Sequence, residues 1–172
     1  MIKLHTRVWY WYGLAVALIV IDQLTKYWIS NGLEMHTPQV FTSFFNFTLM
    51  HNYGAAFSFL SDAGGWQRYL LGGLAIAVSI GLIVWIARLP KDKIWEPIAL
   101  AMVLGGAVGN LYDRITLGYV VDFIVVHYKE YYWPAFNVAD MAISCGAFML
   151  VVEAFRGKKT LPQNSPESMD KQ

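Results

Sequence analysis

Four stretches of this chain stay mostly apolar for about 20 residues each, and that pattern restricts its fold more than any other feature. They cover roughly residues 9–29, 69–87, 94–111 and 138–155. In hydrocarbon a backbone must satisfy its own N–H and C=O groups, so segments of this length are expected to be transmembrane helices. Composition agrees: of 172 residues, 56% are hydrophobic and 15% charged, against the ~25% charged usual in a soluble domain. A formal net charge of +1 gives no footing for nucleic acid. The single cysteine, Cys145, excludes an intrachain disulfide and, within an apolar run, is expected to be a small buried side chain. His5, His36, His51 and His127 are scattered without ligand spacing, so neither a metal nor a cofactor is expected.

Positive charge orients the spans. Lys3 and Arg7 precede the first, Arg88, Lys91 and Lys93 link the second and third, and Arg156, Lys158 and Lys159 follow the fourth. The opposite loops hold Lys26, Arg68, Arg114 and Lys129, so both termini are expected in the cytoplasm and both long loops outside. The first span has the basic start of a signal peptide but no small-x-small cleavage site, and reads as an uncleaved span. Residues 1–156 read as one integral membrane domain, and the polar tail 157–172 as disordered. In the outer loops, residues 40–60 mix aromatic and β-branched types in partial alternation, which predicts two or three short strands broken at Asn52–Gly54. Residues 119–126 read as another strand, and Tyr131, Tyr132 and Trp133 as an interfacial aromatic cluster. The expected fold is therefore membrane α-helical, four transmembrane helices under a small outer β-sheet. Gly105 and Gly109 form a small-xxx-small pair that would let the third span pack closely on a neighbour.

Polar residues inside such a chain need a reason. Asp22 and Lys26, four apart on the first span, are explained by an i,i+4 ion pair near lipid. Arg114, after Asn110 and Asp113, can pair with Asp113 or snorkel to headgroups, and Asn52 with Gly54 suits a turn at φ > 0. Asn137 and Asp140 have the spacing of an N-cap and its N3 partner, a structural role that leaves catalysis open. Asp122 has no such excuse. It interrupts Val-Val-Asp-Phe-Ile-Val-Val, far from any cap and with no basic residue within six positions. Two carboxyls, Asp122 and Asp140, eighteen positions apart, suggest a site that shares one proton.

Five blocks carry a resemblance. They are Asp22-Gln-Leu-Thr-Lys26, Asn52-Tyr-Gly-Ala-Ala-Phe57, Gly105-Gly-Ala-Val-Gly-Asn-Leu-Tyr-Asp-Arg114, Val120-Val-Asp-Phe123 and Phe136-Asn-Val-Ala-Asp140. In this order they resemble the bacterial lipoprotein signal peptidases, the signal peptidase II family, over about residues 13–155; Met141 stands where the family often has serine. The resemblance implies an intramembrane aspartic endopeptidase of the bacterial inner membrane. Such enzymes remove the signal peptide of prolipoproteins before a diacylglyceryl-modified cysteine. By position it makes Asp122 and Asp140 the catalytic pair. It places Asn52, Gly54, Asn110, Arg114 and Asn137 along the substrate groove, with Asp22 and Lys26 in support. The expected partners are lipid-modified prolipoproteins and membrane lipid, and the expected state is a monomer.

Chemistry fits that implication. In a poorly solvated site one carboxyl stays protonated and can donate to a scissile carbonyl oxygen, while the ionised one activates water. The helix end favours Asp140 as the ionised member. A transporter or channel using Asp22, Asp122 and Asp140 would need polar residues through the membrane depth, yet the second span has only Ser79 in its middle. A structural scaffold would explain Gly105 and Gly109 but not the aspartates, asparagines and Arg114 gathered on one side.

Overall fold

The computed structural model describes residues 6–54 and 64–156. The expectations placed on the N-terminal residues, on residues 55–60 and on the tail 157–172 lie outside the described residues. Four helices form as the apolar runs require: α1 (Val8–Gly32), α2 (Gln67–Arg88), α3 (Trp95–Thr116) and α4 (Val138–Arg156). All four are long and apolar enough to cross a membrane. Pro97 sits in the first turn of α3, where a missing N–H breaks no helical bond. At its other end α3 runs five residues past the expected boundary at 111, so Asp113 and Arg114 lie on the helix. Charge does not end this helix, because Asp113 is buried against Lys26 while Ile115 and Thr116 on the same turn stay exposed.

Helix α3 is the centre of the bundle. It packs on α1, α2 and α4, whereas α2 touches α1 only lightly. The close approaches are made by glycines on two adjacent faces of α3. A Cβ at Gly105 would lie 2.9 Å from the Ala15 carbonyl oxygen and 2.9 Å from Leu18 Cβ, both on α1. Gly109 faces Asp22 of the same helix. The expected Gly105/Gly109 contact is therefore the α1–α3 seam. The α3–α4 seam uses a second pair: a Cβ at Gly106 would fall on the Ala139 carbonyl, and one at Gly146 would lie 2.6 Å from the Ala99 carbonyl oxygen. Backbones this close have no room for a methyl group.

The loops at one end of the bundle form a four-stranded antiparallel meander in chain order: β1 (Gln39–Thr42), β2 (Phe45–Asn52), β3 (Val120–Tyr128) and β4 (Tyr131–Tyr132). The break expected at Asn52 is the end of β2, and the strand expected over 119–126 is β3. Tyr131 and Tyr132 of the aromatic cluster pair back onto β3 through a two-residue turn, with Lys129 at φ 53°. Phe41, Phe45 and Phe47 meet edge to face on the first hairpin. Cys145 departs from expectation: it is exposed on α4, because that stretch of the helix turns it away from the α3 seam.

Gly106→Ala or Gly146→Ala is expected to cost about 1–3 kcal/mol by forcing the α3–α4 backbones apart. Gly81, with open space around it, should accept alanine without loss. Unfolding temperatures of the detergent-solubilised variants check this contrast.

Candidate active site

Backbone pairing brings the two aspartates together. The segment leading into α4 adds onto β3: Ile124 N–H donates to Phe136 O at 2.8 Å, and Phe136 N–H returns a bond to Ile124 O at 3.1 Å. Asp122 on β3 and Asp140 in the first turn of α4 thereby share one end of the bundle. The capping pair expected from spacing forms in both directions. Asp140 N–H donates to Asn137 Oδ1 at 2.9 Å, and Asn137 N–H donates to Asp140 Oδ2 at 3.2 Å. A third orphan donor of this helix end, Ala139 N–H, is taken by Asp22 Oδ1 at 2.9 Å, from the neighbouring span.

Three asparagines connect the carboxyls. Asn137, fully buried, donates from Nδ2 to Asp122 Oδ1 at 2.7 Å. Asn52 Nδ2 donates to Asp122 Oδ2 at 2.9 Å, and Asn110 Nδ2 donates to Asp140 Oδ1 at 2.7 Å. Each of the four carboxyl oxygens of the pair therefore accepts one N–H. Asp122 is 3% exposed. Burial first, then the adjacent Asp140 charge, push its carboxyl up to about 7 against the opposing bonds from Asn52 and Asn137. A strand side chain facing water is thus excluded for Asp122.

Behind the pair lies a buried charge cluster. The Asp22–Lys26 ion pair forms at 2.8 Å, and Lys26 also reaches Asp113 Oδ2 at 2.8 Å and Asn110 Oδ1 at 2.9 Å. Asp113 is therefore occupied by Lys26, and Arg114 pairs elsewhere: it donates to Gly54 O at 2.9 Å and Asn110 O at 3.2 Å. Of the two roles open to Arg114, pairing with Asp113 or reaching headgroups, neither is the contact it makes among the described residues: Asp113 accepts from the buried Lys26, and Arg114 meets backbone oxygens. Asn52 and Gly54 form the expected turn, through Gly54 N–H donating to Asn52 Oδ1 at 2.9 Å. One member escaped the sequence reading. Gln23 Nε2 donates to Asp113 Oδ1 at 2.8 Å and to Gly109 O at 3.2 Å. Its signal was its place in the Asp22–Lys26 block.

The pair opens onto a groove of about 1200 Å³. Leu74 and Val78 of α2, Ala107 of α3 and Met141 of α4 form apolar walls, and Asn52, Arg114 and the aspartates lie at its polar end. His51 stacks on Tyr119 at the rim, and burial, then His36, hold its imidazole below the ordinary value. The arrangement combines a slot for an apolar segment with two unequal carboxyls, which is the equipment of water-mediated acyl transfer.

Comparisons with known proteins point the same way. The family described as signal peptidase (SPase) II matches residues 14–156. A lipoprotein signal peptidase of Teredinibacter turnerae is 62% identical over 149 residues, 87% of this chain and 89% of the relative. One of Cellvibrio japonicus is 56% identical over 153 residues, 89% of this chain and 90% of the relative. Two solved structures of bacterial membrane enzymes each align with a TM-score of 0.77, at 26% and 28% identity. They cover 91% and 93% of this chain, and 92% and 99% of their own. Sequence and fold thus agree over the whole bundle, and the chain belongs to the signal peptidase II family, a family of membrane-embedded aspartic endopeptidases.

Proposed function

We propose that this protein cuts signal peptides from diacylglyceryl-modified prolipoproteins before the lipidated cysteine, with Asp122 and Asp140 activating the attacking water. The observation that carries this reading is the pair itself: two carboxyls, bridged by Asn110 and Asn137, at the polar end of an apolar groove. Its relatives' description as lipoprotein signal peptidases supports the substrate class. The signal peptide's apolar segment lies against the α2, α3 and α4 walls, and the diacylglyceryl chains remain in the bilayer beside them. Asp140, in the first turn of α4, carries the negative charge, which the helix end favours. It takes a proton from water as the oxygen attacks the scissile carbonyl. Asp122 keeps the shared proton and donates toward the carbonyl oxygen, stabilising the tetrahedral intermediate. Collapse of that intermediate breaks the C–N bond, and the proton held by Asp140 passes to the leaving amine.

The remaining polar residues act as support. Asn52 and Asn137 hold Asp122, Asn110 holds Asp140, and Arg114 ties the Gly54 carbonyl to the end of α3. By the distribution of basic residues the termini lie in the cytoplasm, so the site faces outward, at the level where an exported precursor presents its cleavage point. A monomer supplies every residue this mechanism uses. A proton or cation path fits less well, since the buried charges gather at one end of the bundle.

Asp122→Asn and Asp140→Asn are each expected to lower kcat by ~10³-fold or more while the protein stays folded. Cleavage of a diacylglyceryl-modified prolipoprotein by the purified variants tests this, and near-normal turnover by either variant would overturn the assignment of the pair.

The pH dependence follows from Asp122 at about 7. Below that value the pair retains its proton; as pH rises through it, both carboxyls become charged and kcat/KM falls. His51, held low, is neutral across this limb and does not cause it. Folding responds in the same sense. An acid raised in the folded state favours folding while protonated, so that contribution fades from the ordinary carboxylate range up to about 7. Asp122→Asn, which cannot ionise, should raise the unfolding temperature relative to wild type at about pH 8 and leave it little changed at about pH 4.

A further inference from the structure

We infer that Lys26 is a positioning residue for the aspartate pair: by holding Asn110 Oδ1 it fixes which end of that amide faces Asp140, and so which carboxyl keeps the shared proton. This rests on the proposed reading of Asp122 and Asp140 as the catalytic pair.

An ammonium has three N–H donors, and Lys26 places all three. Two go to Asp22 and Asp113, each at 2.8 Å, and the third goes to Asn110 Oδ1 at 2.9 Å. The lysine is 3% exposed, so no water shares these bonds with it. Neutralising two carboxylates would complete a purely structural role; the third bond goes instead to the side chain that touches Asp140. The two ends of an asparagine amide are nearly the same shape, and only its neighbours decide which way it points. Here Oδ1 accepts from Lys26 and from Asn137 Nδ2, the latter at 3.2 Å. Turning the amide over would set Nδ2 against both donors. It would also bring Oδ1 to the Asp140 oxygen now 2.7 Å from Nδ2, a contact that only a protonated Asp140 could satisfy. With Lys26 in place that arrangement is closed. Asn110 donates to Asp140, and together with the α4 helix end this favours Asp140 as the carboxylate and leaves the proton on Asp122.

Asn137 shares the hold on Asn110 Oδ1 at 3.2 Å, but the shorter and charged bond is that of Lys26 at 2.9 Å. From α1 come Asp22 and Lys26, from α3 Asp113 and Arg114, from α4 Asp140 itself, from β3 Asp122, and from β2 the rim residue His51. Arg114 meets the backbone oxygen of Asn110, not its amide. Lys26 is the described cation whose hydrogen bond falls on a side chain that in turn holds the pair.

The test compares wild type with Lys26→Met and with the double variant Asp22→Asn/Lys26→Met, which removes one buried charge of each sign and so avoids leaving Asp22 unpaired. Cleavage of a diacylglyceryl-modified prolipoprotein is followed as a function of pH. In both variants kcat should fall by ~10²-fold with KM within about threefold, since binding is untouched and only the placement of the proton is lost. The alkaline limb should move up by about one pH unit, because both the nearby positive charge and the stronger of the two holds on Asn110 are lost. A folded variant with wild-type kcat overturns the inference. So does a lowered kcat with unmoved pH limbs, which would mark Lys26 as packing alone. If Lys26→Met does not fold, the charge-balanced double variant decides by the same two criteria. Activity surviving in Asp122→Asn or Asp140→Asn would instead defeat the reading of the pair; inactivity there with normal Lys26 variants defeats only the role given to Lys26.

Discussion

The buried ammonium of Lys26 is the constraint on which the rest of this structure depends. A charge taken out of water is stable only when fully partnered, and its partners here come from two spans: Asp22 on α1, Asp113 and Asn110 on α3. Those partners have further obligations. Asp22 caps α4 through Ala139 N–H, and Asp113 accepts Val121 N–H of β3 at 3.2 Å. One desolvated charge therefore joins three helices and the sheet at a single end of the bundle. Removing Lys26 leaves two buried carboxylates without their cation, which is why the cluster behaves as a unit.

Steric economy supports the same end of the molecule. Glycines on two sides of α3 let α1 and α4 approach as backbones, and Gly109 leaves room for the Asp22 carboxylate itself. α2 has no such seam with α4, and the apolar groove lies along the space between them. Tight packing of α1 and α4 on α3, and the open slot between α2 and α4, are two outcomes of one distribution of small residues. The first holds the polar site rigid, and the second admits an extended apolar ligand from the bilayer.

Most of the frame was legible in the sequence because membrane insertion reduces the choices available to a chain. Apolar length identified the four helices to within a few residues, except at the end of α3, where burial of Asp113 lets the helix continue past the apolar run. Alternation and β-branched content located β2 and β3, and spacing alone foresaw the Asn137–Asp140 cap and the Asp22–Lys26 pair. Hydrogen-bond partners were less legible. Asp113 looked available to Arg114 and proved to belong to Lys26, Gln23 gave no signal of its own, and Cys145 was taken for a buried residue but is exposed along the groove. Each of these depends on helix rotation and on which neighbour arrives first, quantities that hydropathy does not encode.

The sequence by itself determined that the chain spans a membrane four times, that it carries a small sheet, and that two aspartates stand where lipid-facing chemistry would forbid them without purpose. It did so through length, polarity and the cost of burying charge, all of which are local. Only the tertiary structure decided that Phe136 pairs with Ile124 and so brings Asp122 beside Asp140. It likewise decided that Asn110 and Asn137 bridge them, and that Lys26 reaches through Asn110 toward the pair. Those relations join residues up to 84 positions apart. The physical reason is that a buried hydrogen-bond network is satisfied only in three dimensions, where every donor and acceptor must find its partner at once.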